Sequence, residues 1–293
     1  SVAELFAPAR GVLPGCPPAL DFALHDLAGV ILNQPVYALP GGNEPQATPC
    51  YSGMLYFDDL EPAEKPAGID CVLANCKQDY DLGYRQFKIK IGRGHRWMPH
   101  NTGLARDIEV VRAVAGAHPD VKLLVDANDG YTMDDVKRFL DGIGNVELLW
   151  FEEPFRESVE GFRELRAAFK ERGRKTYIAD GEASPDARLL DELIKRNLLD
   201  VCITDIAGYG FTAWRQLMPR LKQSGVYASP HAFGTQLKTY YISHLAAALG
   251  NTLTIEGVTC SSEHVDWGDY RLNAKGELIP SPKPGFGMRL LKH

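Results

Sequence analysis

The sequence predicts a (β/α)8 barrel, on three observations. Eight short runs rich in β-branched and apolar residues recur along the chain: ATPCYSGMLYF (47–57), QFKIKIG (86–92), KLLVDAN (122–128), VELLWFEEP (146–154), TYIADGE (176–182), VCITDIAG (201–208), VYASPH (226–231) and LTIEG (253–257). Between them lie segments with apolar residues at helical spacing, such as Leu104, Ile108, Val111 and Val114, or Phe162, Leu165 and Phe169. No GxGxxG turn follows the first run, which argues against an open dinucleotide-binding sheet. A chain of 293 residues also accommodates the ~250 that such a barrel needs as one unit.

The elements follow in order. PALDFALHDLAGVIL (18–32) reads as an accessory helix with Leu20, Leu24, Leu27 and Val30 along its apolar side. The segment GRGHRWMPHNTG (92–103) reads as a long loop at the barrel mouth, whose Arg93, His95, Arg96 and Trp97 are candidates for anion contacts as much as for a solvated surface. Ser184-Pro185 ahead of DARLLDELIKRNL supplies a capping hydroxyl and an N-terminal proline for a helix. Gly173 and Gly225 stand just past two helices, where a left-handed residue is wanted. The tail GELIPSPKPGFGMRLL (276–291) is rich in Pro and Gly and reads as irregular.

Composition narrows the function. With 45% hydrophobic and 24% charged residues the chain is a globular protein, not a disordered or fibrous one. The net charge of −6, without a basic run, speaks against nucleic acid and anionic membranes as partners. No stretch approaches the length of a spanning helix, and no basic, then apolar leader opens the chain. The six cysteines, Cys16, Cys50, Cys71, Cys76, Cys202 and Cys260, form no CxxC pair and several lie in apolar runs. A reducing compartment, the cytoplasm, is expected.

The chemistry is carried by the residues that end the strands, because a parallel barrel builds its site there. These are Lys88 and Lys90, then Asp126 with Asn128, Glu152, Glu182, Asp205, His231 and Glu256. Asp126, Glu152 and Glu182 come from three neighbouring strands. Converging carboxylates repel unless a cation sits among them, and all-oxygen donors favour Mg2+, with Mn2+ as the alternative. Glu153 is expected on the opposite side of its strand, as a wall or supporting group. Lys88 and Lys90, two apart, share one face, and mutual repulsion, with a nearby metal adding to it, is expected to lower a lysine toward the range of a base near neutral pH. Asp205 beside His231 has the character of an orienting acid for an acid/base histidine. Ser229 has no surrounding nucleophile elbow, so a serine hydrolase is a poor reading.

The ordered pieces FKIKIG, LLVDANDGYT, LLWFEEPF, ADGEAS, TDIAGYGFTAW, SPHAFGTQL and TIEG, from about residue 18 to about 290, resemble the mandelate racemase subgroup of the enolase superfamily. The resemblance implies a barrel over 46–275, the end of an N-terminal α+β capping domain over 1–45, and a C-terminal segment, 276–293, returning to the capping region. It further implies Mg2+ on Asp126, Glu152 and Glu182, and Lys90 as a general base on one face of a carboxylate substrate, tuned by Lys88. His231, oriented by Asp205, would serve the other face; Glu256 and Asn128 would contact the substrate. Most of the capping domain that such proteins carry is not found in this sequence.

Abstraction of a proton α to a carboxylate follows, giving an enediolate. Loss of a β-hydroxyl then makes a sugar-acid dehydratase, yielding a 2-keto-3-deoxy acid; return of the proton makes a racemase or epimerase of a 2-hydroxy acid. The partner is a small carboxylate, and a homo-oligomer is expected. A metal-dependent aldolase or hydrolase would use the carboxylates but leave the lysines and the dyad idle. A non-catalytic barrel subunit without its lid would have no use for the whole set.

Overall fold

The computed structural model describes residues 1–6, 16–63, 65–182, 185–259 and 262–291. In chain order, helices α1 (Val2–Phe6) and α2 (Pro18–Leu32) precede strand β1 (Thr48–Leu55). Then come α3 (Ile69–Asp81), β2 (Gln86–Lys90), α4 (Arg93–Arg96), α5 (His100–Ala117), β3 (Lys122–Asp126), α6 (Met133–Gly142) and β4 (Leu148–Glu152). The alternation continues through α7 (Val159–Glu171), β5 (Tyr177–Asp180), α8 (Ala187–Lys195), β6 (Val201–Cys202), α9 (Ile206–Tyr209), α10 (Phe211–Gln223), β7 (Tyr227–Ala228), α11 (Gln236–Leu249) and β8 (Ile255–Gly257). Four short strands follow: β9 (Val265–Asp266), β10 (Arg271–Leu272), β11 (Glu277–Ile279) and β12 (Arg289–Leu290). Each of the eight predicted runs contains a strand. The chain divides into two compact units, Tyr51–Val201 and Ser1–Cys50 with Cys202–His293.

In the Tyr51–Val201 unit, β1 through β5 pair in parallel and in consecutive order. Strand alternation sends Phe87, Ile89, Val125 and Phe151 to one side, where they are buried; Phe151 packs there with Phe139, Phe169 and Tyr131. Helix starts are set locally. Thr132 and Asp135 close a reciprocal capping box at α6, and Ser158 accepts the Gly161 N–H at α7. The cap of α8 is Asp186, which accepts the N–H groups of Arg188 and Leu189; the expected cap, Ser184, lies outside the described residues. Gly173 and Gly225, the latter in the other unit, both have the left-handed backbone expected of them, φ 63° and 71°.

The expected loop over 92–103 is instead helical over Arg93–Arg96 and again from His100. Arg93 is fully buried, bonded to Asp59, to Asp107 at 2.7 Å and to the Lys90 carbonyl at 3.0 Å. It holds the fold and offers nothing to a substrate. The two helices meet so closely that a Cβ on Gly103 would lie 2.1 Å from the Gly94 nitrogen.

In the other unit, helix α2 spans the predicted residues but buries a largely different face; of the expected stripe, Leu24 is half-buried and packs with Phe6, Ala28 and Leu39. Leu20, Leu27 and Val30 are 56%, 52% and 55% exposed, whereas Asp21, Phe22, His25, Ala28 and Gly29 are buried. Long-range polar contacts decide this. Asp21 accepts the Thr212 N–H at 2.7 Å, His25 meets Arg215 at 3.2 Å, and Asp26 accepts the Phe286 N–H at 2.7 Å. The tail is more ordered than its composition suggests. Strand β11 pairs antiparallel with β1 and β10, and β12 pairs with β9. Main-chain bonds from Ser229 to Cys202 and from His231 to Ile203 align the segments that carry the late polar residues.

Candidate active site

Register builds the site of the Tyr51–Val201 unit. Lys90 stands opposite Asp126, and Asp126 opposite Glu152, in one row across β2, β3 and β4. Because side chains alternate, Lys88 shares the face of Lys90, and its Nζ donates to Glu152 Oε1 at 2.7 Å and lies 3.3 Å from Asp126 Oδ2. Lys90 Nζ donates to Asp126 Oδ2 and, at 2.6 Å, to Asn128 Oδ1. The Lys90 ammonium also lies 5.6 Å from the centroid of the Tyr56 ring. Glu182 follows β5 after Gly181, whose φ of 111° turns the chain there. One oxygen each of Asp126, Glu152 and Glu182 lie within 4.8 Å of one another.

Two ammonium groups set against three carboxylates leave one formal negative charge in a largely buried cluster. Burial pushes the Asp126 carboxyl up, but Lys90 and Lys88 outweigh it and hold the group below the ordinary range. Burial and the Asp126 charge push Glu152 well above its ordinary value. Glu152 Oε2 is buried with no hydrogen-bond partner among the described residues. Such an atom costs free energy unless something meets it. The all-oxygen donor set, the excess negative charge and the orphaned oxygen together fit a hard divalent cation.

With no cation among the carboxylates, this arrangement does not lower Lys90. Burial pulls the Lys90 ammonium down, yet the Asp126 charge, aided by Glu152 and Glu182, outweighs both burial and Lys88, and the net direction is up. Glu153 also differs in detail: it lies just past β4 with φ 39°, so strand alternation does not govern it, and its oxygens reach Asn128 and the Glu182 N–H.

In the Cys202–His293 part of the other unit, His231 Nδ1 lies 3.0 Å from Asp205 Oδ2, and His231 Nε2 lies 3.8 Å from Glu256 Oε2. Asp205 caps α9 by accepting the Gly208 N–H at 2.7 Å. Burial raises the Asp205 carboxyl, but bonds from His231, Lys238 and Gly208 hold it well below the ordinary range. Glu256 accepts the Ala232 N–H at 2.5 Å, which ties it to the segment carrying His231. Ser229 donates to the Thr254 carbonyl, a structural use. Sequence reasoning missed Lys238. Its Nζ donates to Asp205 Oδ2 at 2.7 Å, from the first turn of α11, and only its distance of seven residues from His231 hinted at it.

The family described as Enolase C-terminal domain-like matches residues 72–293. The chain belongs to the enolase superfamily. Its fold class is accordingly the (β/α)8 barrel, and of the family's capping region only part is seen. Among solved structures of the superfamily, it is similar to galacturonate dehydratase from Geobacillus sp., complexed with D-galacturonate and 5-keto-4-deoxy-D-galacturonate. The two are 34% identical with a TM-score of 0.86, over 92% of this chain and 72% of that one. A mandelate racemase/muconate lactonizing protein from Geobacillus sp. Y412MC10, complexed with magnesium and tartrate, is 34% identical with a TM-score of 0.86, over 93% and 72%. Curated relatives include D-galactarolactone cycloisomerase of Agrobacterium fabrum, 26% identical over 78% of this chain and 55% of that protein. Another is hydrophobic dipeptide epimerase of Enterococcus faecalis, 27% identical over 64% and 47%. The chain spans about half the length of these curated relatives. No helix among the described residues is long and apolar enough to cross a membrane.

Proposed function

We propose that this enolase-superfamily chain catalyses removal of the proton α to the carboxylate of a small sugar acid, followed by loss of the β-hydroxyl as water. The observation that carries this reading is the buried row of Lys90, Asp126 and Glu152, with Glu182 completing a cluster of hard oxygen donors. A magnesium ion on Asp126, Glu152 and Glu182, the donors the cluster offers, would neutralise negative charge developing on the substrate carboxylate, where most of the barrier lowering must arise. Mn2+ satisfies the same donors.

Lys90 takes the α-proton onto Nζ. To do so it must be neutral, and its three carboxylate neighbours release it only when their charge is engaged elsewhere. Lys88 holds Glu152 and Asp126 in place. Asn128 orients Lys90 through Oδ1 and contacts the substrate through the Nδ2 proton that Glu153 does not take. His231, held by Asp205, donates the proton that turns the departing β-hydroxyl into water, and Glu256 steadies the substrate carboxylate. The α-proton is lost to Lys90, the C–O bond breaks, and the resulting enol tautomerises to a 2-keto-3-deoxy acid. One compound with which the Geobacillus enzyme is complexed, 5-keto-4-deoxy-D-galacturonate, has the same pattern counted from its carboxylate: a ketone α and a deoxy carbon β.

Epimerases among the relatives favour a second reading, in which the proton returns to the same carbon and no water leaves. Product analysis by NMR separates the two. A panel of aldonic, aldaric and uronic acids with Mg2+ is expected to yield a keto-deoxy product. A stereoisomer of the substrate without any keto product would replace dehydration with epimerisation.

A further inference from the structure

We infer that Glu153 is a positioning residue, which fixes the side-chain amide of Asn128 and the main chain of Glu182 and so sets the Lys90 ammonium and the third carboxylate of the cluster. The inference rests on the proposed reading of Lys90 and the three carboxylates.

The geometry is a junction. The Glu153 side chain is buried, its Oε1 accepts the Glu182 N–H at 3.2 Å, and its Oε2 accepts from Asn128 Nδ2 at 3.4 Å. Its carbonyl accepts the Asp129 N–H at 2.8 Å, and its own N–H donates to the Ala179 carbonyl at 3.1 Å. One residue thereby ties together the chain segments that leave β3, β4 and β5.

The amide of Asn128 has one orientation available. A carboxylate only accepts and an ammonium only donates, so Nδ2 must face Glu153 and Oδ1 must face Lys90, which it does at 2.6 Å. The backbone agrees that these bonds matter. Asn128, Asp129 and Glu153 have φ of 42°, 58° and 39°, three side-chain-bearing residues in the left-handed region. Asn and Asp tolerate it; for Glu the surrounding bonds must hold it there. Groups that support ligands in this way commonly change metal affinity ten- to a hundredfold when altered.

The test is Glu153→Gln in the full chain, read in three ways. Gln keeps the size but replaces one acceptor with a donor, which faces either Asn128 Nδ2 or the Glu182 N–H. The side-chain amide resonance of Asn128, assigned by its loss in Asn128→Ala, is expected to shift and to exchange with solvent at least tenfold faster. Titration calorimetry with Mg2+ alone is expected to show roughly tenfold weaker binding. Far-UV circular dichroism is expected to match the parent. Should Glu153→Gln not fold, Glu153→Asp keeps the charge with a shorter reach and is expected to move the Asn128 resonance in the same direction. An unchanged Asn128 resonance, or a lowered melting point as the sole effect, overturns the inference. Failure of the parent itself to bind Mg2+ would instead remove the reading of the three carboxylates, while the Asn128 resonance would still decide the role of Glu153.

Discussion

Lys88 and Glu152 are paired at 2.7 Å with both side chains out of solvent, and the same ammonium lies 3.3 Å from Asp126. Removing one member of a buried pair leaves the other uncompensated, at a cost of about 3–5 kcal/mol. Lys88→Met should therefore melt well below the parent in the presence of a chelator. Added Mg2+ should narrow the gap, because a dication restores the charge that was lost. Melting curves with and without Mg2+ check this; equal stability in chelator would contradict it.

The cation fit makes a separate prediction. Binding to the folded state alone raises stability by mass action, about 2.7 kcal/mol at a hundred times the dissociation constant. Mg2+ should raise the melting temperature of the parent and leave that of a Glu152→Gln, Glu182→Gln double variant unmoved. A thermal shift that survives in the double variant would place the cation elsewhere.

Asp205 shares its Oδ2 between His231 and Lys238. Its carboxyl is held below the ordinary value of 3.8, so its ionised form stabilises the fold above that pH, and the contribution is lost as pH falls through the depressed value. Lys238→Met removes one of the groups that depress it. The acid unfolding midpoint of this variant should move to higher pH, and turnover should fall by about tenfold or less, since His231 and Gly208 still hold Asp205. An unmoved acid midpoint would show that Lys238 does not contribute.

His244 gives the opposite titration. It is fully buried: Nδ1 accepts the Tyr37 N–H at 3.1 Å, so Nε2 carries the proton and donates to the Tyr270 hydroxyl at 2.7 Å, which donates onward to the Phe286 carbonyl. Burial lowers its pKa from 6.5 to about 3. The unfolded chain therefore binds a proton that the folded chain refuses between these values. Stability from this group is complete above pH 6.5 and is lost as pH falls toward 3, at up to about 1.4 kcal/mol per pH unit. Urea midpoints from pH 7.5 to 4.5 should fall more steeply for the parent than for His244→Gln. Parallel slopes would refute the assignment.

How legible all this was in the sequence differs by residue. Lys88, Lys90, Asp126 and Glu152 could be read because a strand has period two and a parallel barrel faces its strand ends to one rim; those two regularities place them before any coordinates are known. The buried face of α2 could not. Leu20, Leu27 and Val30 make a good helical stripe, but Asp21, His25 and Asp26 find partners at Thr212, Arg215 and Phe286, and nothing local announces a partner almost two hundred residues away or more. The role of Arg93 is hidden in the sequence for the same reason, since Asp59 and Asp107 answer its charge from other elements. Lys238 and the left-handed turn at Glu153 likewise depend on tertiary structure rather than on any periodicity.

The central claim is that Lys90 removes a proton α to a carboxylate. Proton NMR in D2O with Mg2+ tests it most directly, using D-galacturonate together with aldonic and aldaric acids. The account predicts that one of these loses its α-proton signal as a keto-deoxy product appears, and that the loss is at least a hundredfold slower in Lys90→Ala. Exchange that proceeds at the parent rate in Lys90→Ala, or no exchange with any of these acids from a preparation that binds Mg2+, would contradict it.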